Sequence, residues 1–488
     1  MALADGEVVV TVSGATDEQL ATAVLEQGSG RLAAASSGVG TVRFATGTLT
    51  PGDHALVLDG ASPRPAPGFS DGFPLRLLGA GLRLTLTGRK EGVRFTVGPA
   101  LADDELGRYH QHRLQAAYRA SSPALSETIL LTSFQGTAAA GDPLAVDRYL
   151  AEHHPGIERV WGVADHATAV PAGARAVLIG SRSWYDTAAG SRYVVANTDL
   201  GGWFEAKPGQ RSLQTFRGHP FKAMGTDLWR SQGANPGEVR LWAARAREEW
   251  SQILLADPAS ADHYRAQFGY AGPTLVAGYP RTDALVNADA AAVRGEVLQR
   301  LGIDPASTVV LYAPTERDAA ASEAYAAGPG PDLDLAALTE ALGDDHVVLV
   351  RVPRTWRRPS LRAIRAGAAV DVSGVPDVTE LLLAADAAVL DYGSLRFDWA
   401  ITGKPAVFYV PDRDAYLGAR APLFDFDSSA PGPQVATAAA VAAALADLET
   451  LRASYADALG AFNQRFNTAN DGRATERVVA ALLNPGAR

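Results

Sequence analysis

From Glu127 onward the chain repeats one order: a short apolar, β-branched run, a turn, then a stretch with apolar positions at helical spacing. No other feature restricts the fold as much, because strands separated by helices run parallel and must be covered on both faces. The expected strands are Thr128–Thr132, Arg159–Val163, Ala176–Ile179 and Tyr193–Ala196, with a helix over Pro143–His153. A second set follows at Thr308–Tyr312, Val347–Val350, Val370–Val372, Ala387–Leu390 and Ala406–Tyr409. The pattern predicts an α/β chain with two doubly wound, Rossmann-like domains whose junction lies near Asn287 to Ala291.

The first 100 residues read differently. Short β-branched runs at Val8–Val12, Gly40–Phe44, His54–Leu58, Leu82–Leu86 and Val93–Val97 alternate with Gly and Pro turns, which predicts a small β-rich domain. Ala61 to Gly72, with Pro63, Pro65 and Pro67, is expected to be an irregular surface loop. Asp103–Ala120 has helical spacing and reads as a linking helix. The expected division is therefore residues 1–120, 121–290 and 291–488.

Composition narrows the partners. Lys and Arg total 44 against 54 Asp and Glu, a net charge of -10, so no global basic field exists to hold nucleic acid. The absence of cysteine removes thiol nucleophiles, disulfides and thiolate metal sites together. No His and carboxylate cluster has ligand spacing, so no metal site is expected, and whether a divalent metal assists is not legible. The start MALADGEVVVTVSG lacks the basic and apolar regions of a signal peptide, and no apolar run approaches the roughly 20 residues that span a bilayer. The expected location is the cytoplasm, with contact limited to the surface of the inner face of a membrane.

Ligands of doubly wound sheets sit beyond the carboxyl ends of the strands, so the residues there are the candidates. Asp391, Tyr392, Gly393 and Ser394 follow one strand and open a helical stretch over Leu395 to Thr402, where backbone N–H groups could face an anion; a plain N-cap is the alternative. Thr315 and Arg317 follow Tyr312, and Arg281 and Asp283 follow the Leu275 to Ala277 run. In each loop a guanidinium could grip phosphate oxygens or pin its own Asp neighbour. Arg351 directly follows Val347–Val350. Arg217, His219 and Lys222 cluster around Gly218, and with nine histidines in the chain His219 is an acid/base candidate or a structural one.

In order and spacing these segments resemble the CDP-glycerol glycerophosphotransferase family, the teichoic-acid primases and polymerases. The residues that carry the likeness are Asp142-Pro143, where the family has Asn-Pro, Gln214 to Lys222, Gly278 to Asp283, Ala313 to Asp318, Arg351 to Pro353, Asp391 to Ser394, Phe397-Asp398 and Lys404-Pro405. The resemblance implies a GT-B-like pair of domains facing a cleft, the first on the acceptor side and the second on the CDP-donor side. It implies transfer of glycerol phosphate, or a related alditol phosphate, from a CDP-alditol to a lipid-linked or polymer acceptor of the teichoic-acid type, with CMP released. It also assigns Arg281, Asp283, Thr315, Arg317, Arg351, Asp391, Gly393 and Ser394 to the donor, and Arg217, His219 and Lys222 to catalysis.

Three departures bear on that assignment. Arg217 stands where the family has a catalytic His, Pro353 stands where it has the His of an Arg-x-His strand end, and Gly393 replaces the first Ser of a Ser-Ser pair. Arginine is a very poor base, so His219 becomes the expected substitute. A nucleotide-sugar glycosyltransferase on the same plan, or a catalytically impaired polymer- or nucleotide-binding homologue, are the alternatives.

Overall fold

The structure is a computed structural model and describes residues 2–4, 6–27, 30–64, 73–79, 81–89, 92–315, 333–352 and 369–484. The chain divides into two compact units, 1–139 with 156–194, and 140–155 with 195–488. These limits cut across the boundaries expected at 120 and 290. The helix Gly141–His153 groups with the later half of the chain, because its contacts lie there.

In the first unit two antiparallel sheets come first. One has the order Ala2–Ala4, Glu7–Thr11, Thr41–Ala45, Ser36–Gly38, and the other Gly30–Ala33, Val24–Gln27, Gly52–Val57, Gly92–Pro99, Leu82–Arg89, Leu75–Gly79. Alternation explains the layering: Val8 and Val10 of Glu7–Thr11 point inward and join Phe44, Leu84, Leu86 and Phe95 in one core. The parallel strands Ser126–Thr132, Glu158–Val163 and Arg175–Leu178 belong to the same unit. The helix predicted over 103–120 begins with a 3-10 turn at Asp103–Glu105 and runs as Gly107–Ala120. The proline-rich loop lies, from residue 65 to 72, outside the described residues.

The second unit contains the parallel strands Arg211–Gln214, Gln252–Leu255 and Thr274–Val276, and a six-stranded parallel sheet. That sheet has the order Ala369–Asp371, His346–Val350, Thr308–Tyr312, Ala387–Leu390, Ala406–Tyr409, Gln434–Val435. Ala387–Leu390 and Ala406–Tyr409 are buried at every position, as central parallel strands covered on both faces must be. Successive residues feed opposite layers. Val309 and Leu311 pack on one face with Leu349, Leu390 and Phe397, while Val310 and Tyr312 pack on the other with Leu338, Val348 and Val441.

Numbered along the chain, the strand order is 3-2-1-4-5-6. The direction of winding reverses between Thr308–Tyr312 and Ala387–Leu390, which leaves a crevice at their carboxyl ends. Both Rossmann-type expectations, strands and parallel direction, hold for this sheet. Among the described residues no helix is long and apolar enough to cross a membrane.

Candidate functional site

The crevice at the switch point is closed by one carboxylate. Thr308–Tyr312 and Ala387–Leu390 are paired in parallel through Tyr312 and Val389, so Thr315 and Asp391 emerge side by side. Asp391 Oδ2 accepts the Thr315 backbone N–H at 2.9 Å, Oδ1 accepts the Thr315 hydroxyl at 2.5 Å, and Oδ1 also takes the Gly393 N–H at 3.2 Å. The carboxylate is 3% exposed, so it ties the two strand ends together and has little left for a ligand. Gly393 is fixed by that closeness. A Cβ there would lie 2.5 Å from Thr315 Oγ1, which accounts for glycine at 393.

Ser394 begins the helix Leu395–Ile401, but its side chain makes no capping hydrogen bond. It meets a different segment: a Cβ on Gly218 would lie 2.7 Å from Ser394 Oγ and 3.7 Å from Arg281 Nη2. The Gly218 turn is strained as well as close, with φ of 55° at Phe216 and 146° at Gly218. Gly218, Ser394 and Arg281 therefore converge although they are far apart in sequence.

Arg281 is held by two carboxylates, Asp142 and Asp398, and its side chain is 8% exposed. Asp283 turns elsewhere. Its oxygens accept the N–H groups of Ala474 and Thr475 at 2.9 and 2.7 Å, which caps the helix Ala474–Leu483. Arg351 braces a loop by donating from Nη1 to Val375 O at 2.6 Å and to Val372 O at 3.3 Å. Lys404 of the Lys-Pro pair donates to the carbonyls of Leu382, Leu383 and Ala385 at 3.1, 2.6 and 2.6 Å, closing the end of the helix Val378–Ala384. Arg317 and Pro353 lie outside the described residues.

His219, expected as a displaced base, lies in a closed network of polar and aromatic contacts. Nδ1 lies 3.1 Å from Pro220 O and Nε2 lies 2.7 Å from Asp257 Oδ2, so both ring nitrogens already face acceptors. The ring stacks on Phe397 at 4.3 Å between centroids and 13° between planes, and the side chain is 2% exposed. Ser260 completes the network with its hydroxyl 2.5 Å from Asp257 Oδ2 and 3.2 Å from His219 Nε2. Burial pushes Asp257 up, but hydrogen bonds from His219 and Ser260 outweigh it and hold the carboxyl below the usual range. A ring held in this way braces the Gly218 turn, with both of its nitrogens near protein acceptors.

Arg217, by contrast, is exposed. Lys222 is half-buried, with Nζ 5.6 Å from the centre of the Tyr416 ring. The Arg217 charge acts on Asp199, and Asp199 in turn acts on Glu249. Asp199 is exposed at the surface, yet desolvation of its carboxyl raises it with the Arg217 charge opposing, and burial reinforced by Asp199 pushes the buried Glu249 up to about 8. Asp257 and Ser260 could have been found as an acceptor and hydroxyl three apart beyond the Ile253 to Ala256 run. Asp199 and Glu249 left no such signal. No group of three or more metal-ligating side chains exists among the described residues.

The comparisons with known proteins agree with one another. The profile of the family described as CDP-Glycerol:Poly(glycerophosphate) glycerophosphotransferase matches residues 115–484. The teichoic acid poly(glycerol phosphate) polymerase of Bacillus subtilis is 28% identical over 370 residues, which is 74% of this chain and 49% of that protein. This chain thus spans about half the length of that relative. The teichoic acid glycerol-phosphate transferase of Staphylococcus aureus is 27% identical over 76% of this chain and 97% of its own length. A structure of a variant of the wall teichoic acid polymerase TagF superposes with a TM-score of 0.70 at 26% identity, covering 77% of this chain and 94% of that one. A second TagF variant, soaked with CDPG, gives 0.69 at 25% identity over 77% and 93% of the two chains. With a match that runs through every strand of the six-stranded sheet, the chain belongs to the CDP-glycerol:poly(glycerophosphate) glycerophosphotransferase family.

Proposed function

We propose that the chain transfers glycerol phosphate from a CDP-activated donor to a hydroxyl of a teichoic-acid-like polymer, releasing CMP. The observation that carries this reading is the convergence of Gly218, Ser394 and Arg281 beside the switch point of a doubly wound sheet, in a chain of this family. The acceptor oxygen bonds to the phosphorus that bears the glycerol, the bond to CMP breaks, and the acceptor proton must leave. Such a displacement depends on alignment and on charge placed where charge develops. The Ser394 hydroxyl suits the donor phosphates, and the exposed Arg217, next to Gly218, suits the developing charge.

Arg217 does not take a proton. Asp199, whose charge couples to Arg217, is the group we assign to that step. Asp283 and Arg351 act by holding the helix Ala474–Leu483 and the 372–375 loop, and Lys222 by holding its own loop against Tyr416. The acceptor is polymer-terminal or lipid-linked, and the chain then works at a membrane surface.

The experiment is CMP release from CDP-glycerol, CDP-ribitol and a UDP-sugar, with and without a lipid-linked glycerol-phosphate acceptor. Turnover of the UDP-sugar alone would replace this reading with a glycosyltransferase. Cytidine nucleotide binding without CMP release would leave a binding protein. Asp199→Asn should lower CMP release about 100-fold or more if it accepts the proton.

A further inference from the structure

Arg281 gathers three segments at one point. Its Nε and Nη2 donate to Asp398 Oδ2 and Oδ1, each at 2.9 Å. Its Nη1 donates to Asp142 Oδ2 at 2.7 Å, and its backbone N–H to Asp142 Oδ1 at 3.0 Å. The guanidinium carbon lies 4.3 Å from the centre of the Tyr279 ring. Asp142 comes from the first turn of Gly141–His153, Arg281 from the 3-10 turn Pro280–Thr282, and Asp398 from Leu395–Ile401. Side-chain exposure is 1% for Asp142 and 8% for each of the other two.

The charges do not balance. One guanidinium serves two carboxylates in a nearly dry place, so a net negative charge is buried. Burial pushes Asp142 up to about 6 against the pull of Arg281, and Asp398 adds to the push. The charged groups acting on Asp142 are Arg281 and Asp398; Asp283 on the same turn is committed to the helix Ala474–Leu483. Stability alone does not call for this arrangement, because an apolar or singly charged joint costs less to bury. An Asn at 142 would avoid the second charge.

The position of the joint supplies another reason. Arg281 Nη2 stands where the Gly218 turn meets Ser394, and Asp398 lies on the same short helix that Ser394 begins. Resting on the transfer reading above, we infer that Asp142, Arg281 and Asp398 form a clasp that sets the Asp391–Ser394 turn against the Gly218 turn, so that Asp142 and Asp398 are positioning residues for the transfer step. The clasp acts on alignment, and alignment enters kcat more than KM. Protonation of Asp142 loosens one arm, since a charge-assisted hydrogen bond becomes a neutral one.

The test uses the full chain and the variants Asp142→Asn and Asp398→Asn, with CMP release from CDP-glycerol followed from pH 5 to 8 and thermal melting as the check on folding. Folded Asp142→Asn should lose about 10-fold in kcat with KM within about 2-fold. The parent should show an acidic limb near pH 6, and Asp142→Asn should lack it. Unchanged kcat together with an unchanged pH profile overturns the proposal. If Asp398→Asn does not fold, Asp142→Asn decides alone. If the parent releases no CMP from CDP-glycerol, the transfer reading has failed by itself. Amide exchange over residues 391–398 then tests the clasp: about 10-fold faster exchange in Asp142→Asn supports it, and equal exchange overturns it.

Discussion

Arg281 and Arg396 are both buried cations, and they are held by opposite means. Arg281 has a carboxylate on each side, and although burial works against its charge, the two carboxylates hold it firmly protonated. Arg396 is 1% exposed, its Nε and Nη1 have no hydrogen-bond partner, and Nη2 reaches only Ser429 Oγ at 3.3 Å. Its guanidinium carbon is instead 4.0, 4.9 and 5.0 Å from the ring centres of Phe221, Phe397 and Phe426. Burial pulls its pKa down to about 9 with Asp391 opposing. Aromatic faces thus keep a guanidinium inside with one hydroxyl as its acceptor. The two sites differ in what removal leaves behind: two stranded carboxylates at one, only a gap among rings at the other.

That difference is breakable by substitution. Arg281→Met should cost about 3–5 kcal/mol in urea unfolding, the usual effect of leaving buried charge unpaired. A loss below about 1 kcal/mol would mean that the carboxylates are not held by Arg281. His219→Phe keeps the stacking on Phe397 and removes the contacts to Asp257, so about 1–3 kcal/mol should be lost. CMP release should nevertheless persist. Complete loss in a folded variant would return the base role to His219. Arg396→Met should lie within about 1 kcal/mol of the parent or above it, because Ser429 and Asp391 keep other hydrogen bonds.

The smallest effect concerns Lys404, whose pKa burial lowers from 10.5 to about 8 with Asp386 opposing. As pH rises from about 8 to 10.5, folded Lys404 gives up its proton before unfolded Lys404 does. The unfolded state then binds more protons, and stability rises with pH across that window. Lys404→Met should lack this rise in a melting series. A series that falls equally for both chains would show that the three carbonyls, and not burial, set its charge.

The sequence showed the doubly wound sheet because its strands are buried on both faces and so appear as unbroken apolar runs. Thr308–Tyr312, Ala387–Leu390 and Ala406–Tyr409 were readable to the residue. Strands Arg211–Gln214 and Gln252–Leu255 escaped notice. They are four residues long with polar members, and short half-polar runs carry little periodicity. The candidate site was legible as a set of loops but not as roles. Arg281, Asp283 and Arg351 were expected at the donor, yet each is committed to protein oxygens or N–H groups, since one sequence spells a phosphate grip and a loop brace alike.

What the sequence determined by itself is the α/β order and the family. Those are properties of residue type and spacing along one chain. Only the tertiary structure decided that His219 is walled in by Asp257 and Phe397, that Gly393 is glycine because Thr315 Oγ1 stands in its way, and that Asp142 and Asp398 share Arg281. The partners in those contacts lie between 38 and 178 residues apart in the chain for His219 and between 117 and 139 for Arg281. Spacing along the backbone carries no record of such meetings; packing of the sheet and its helices makes them.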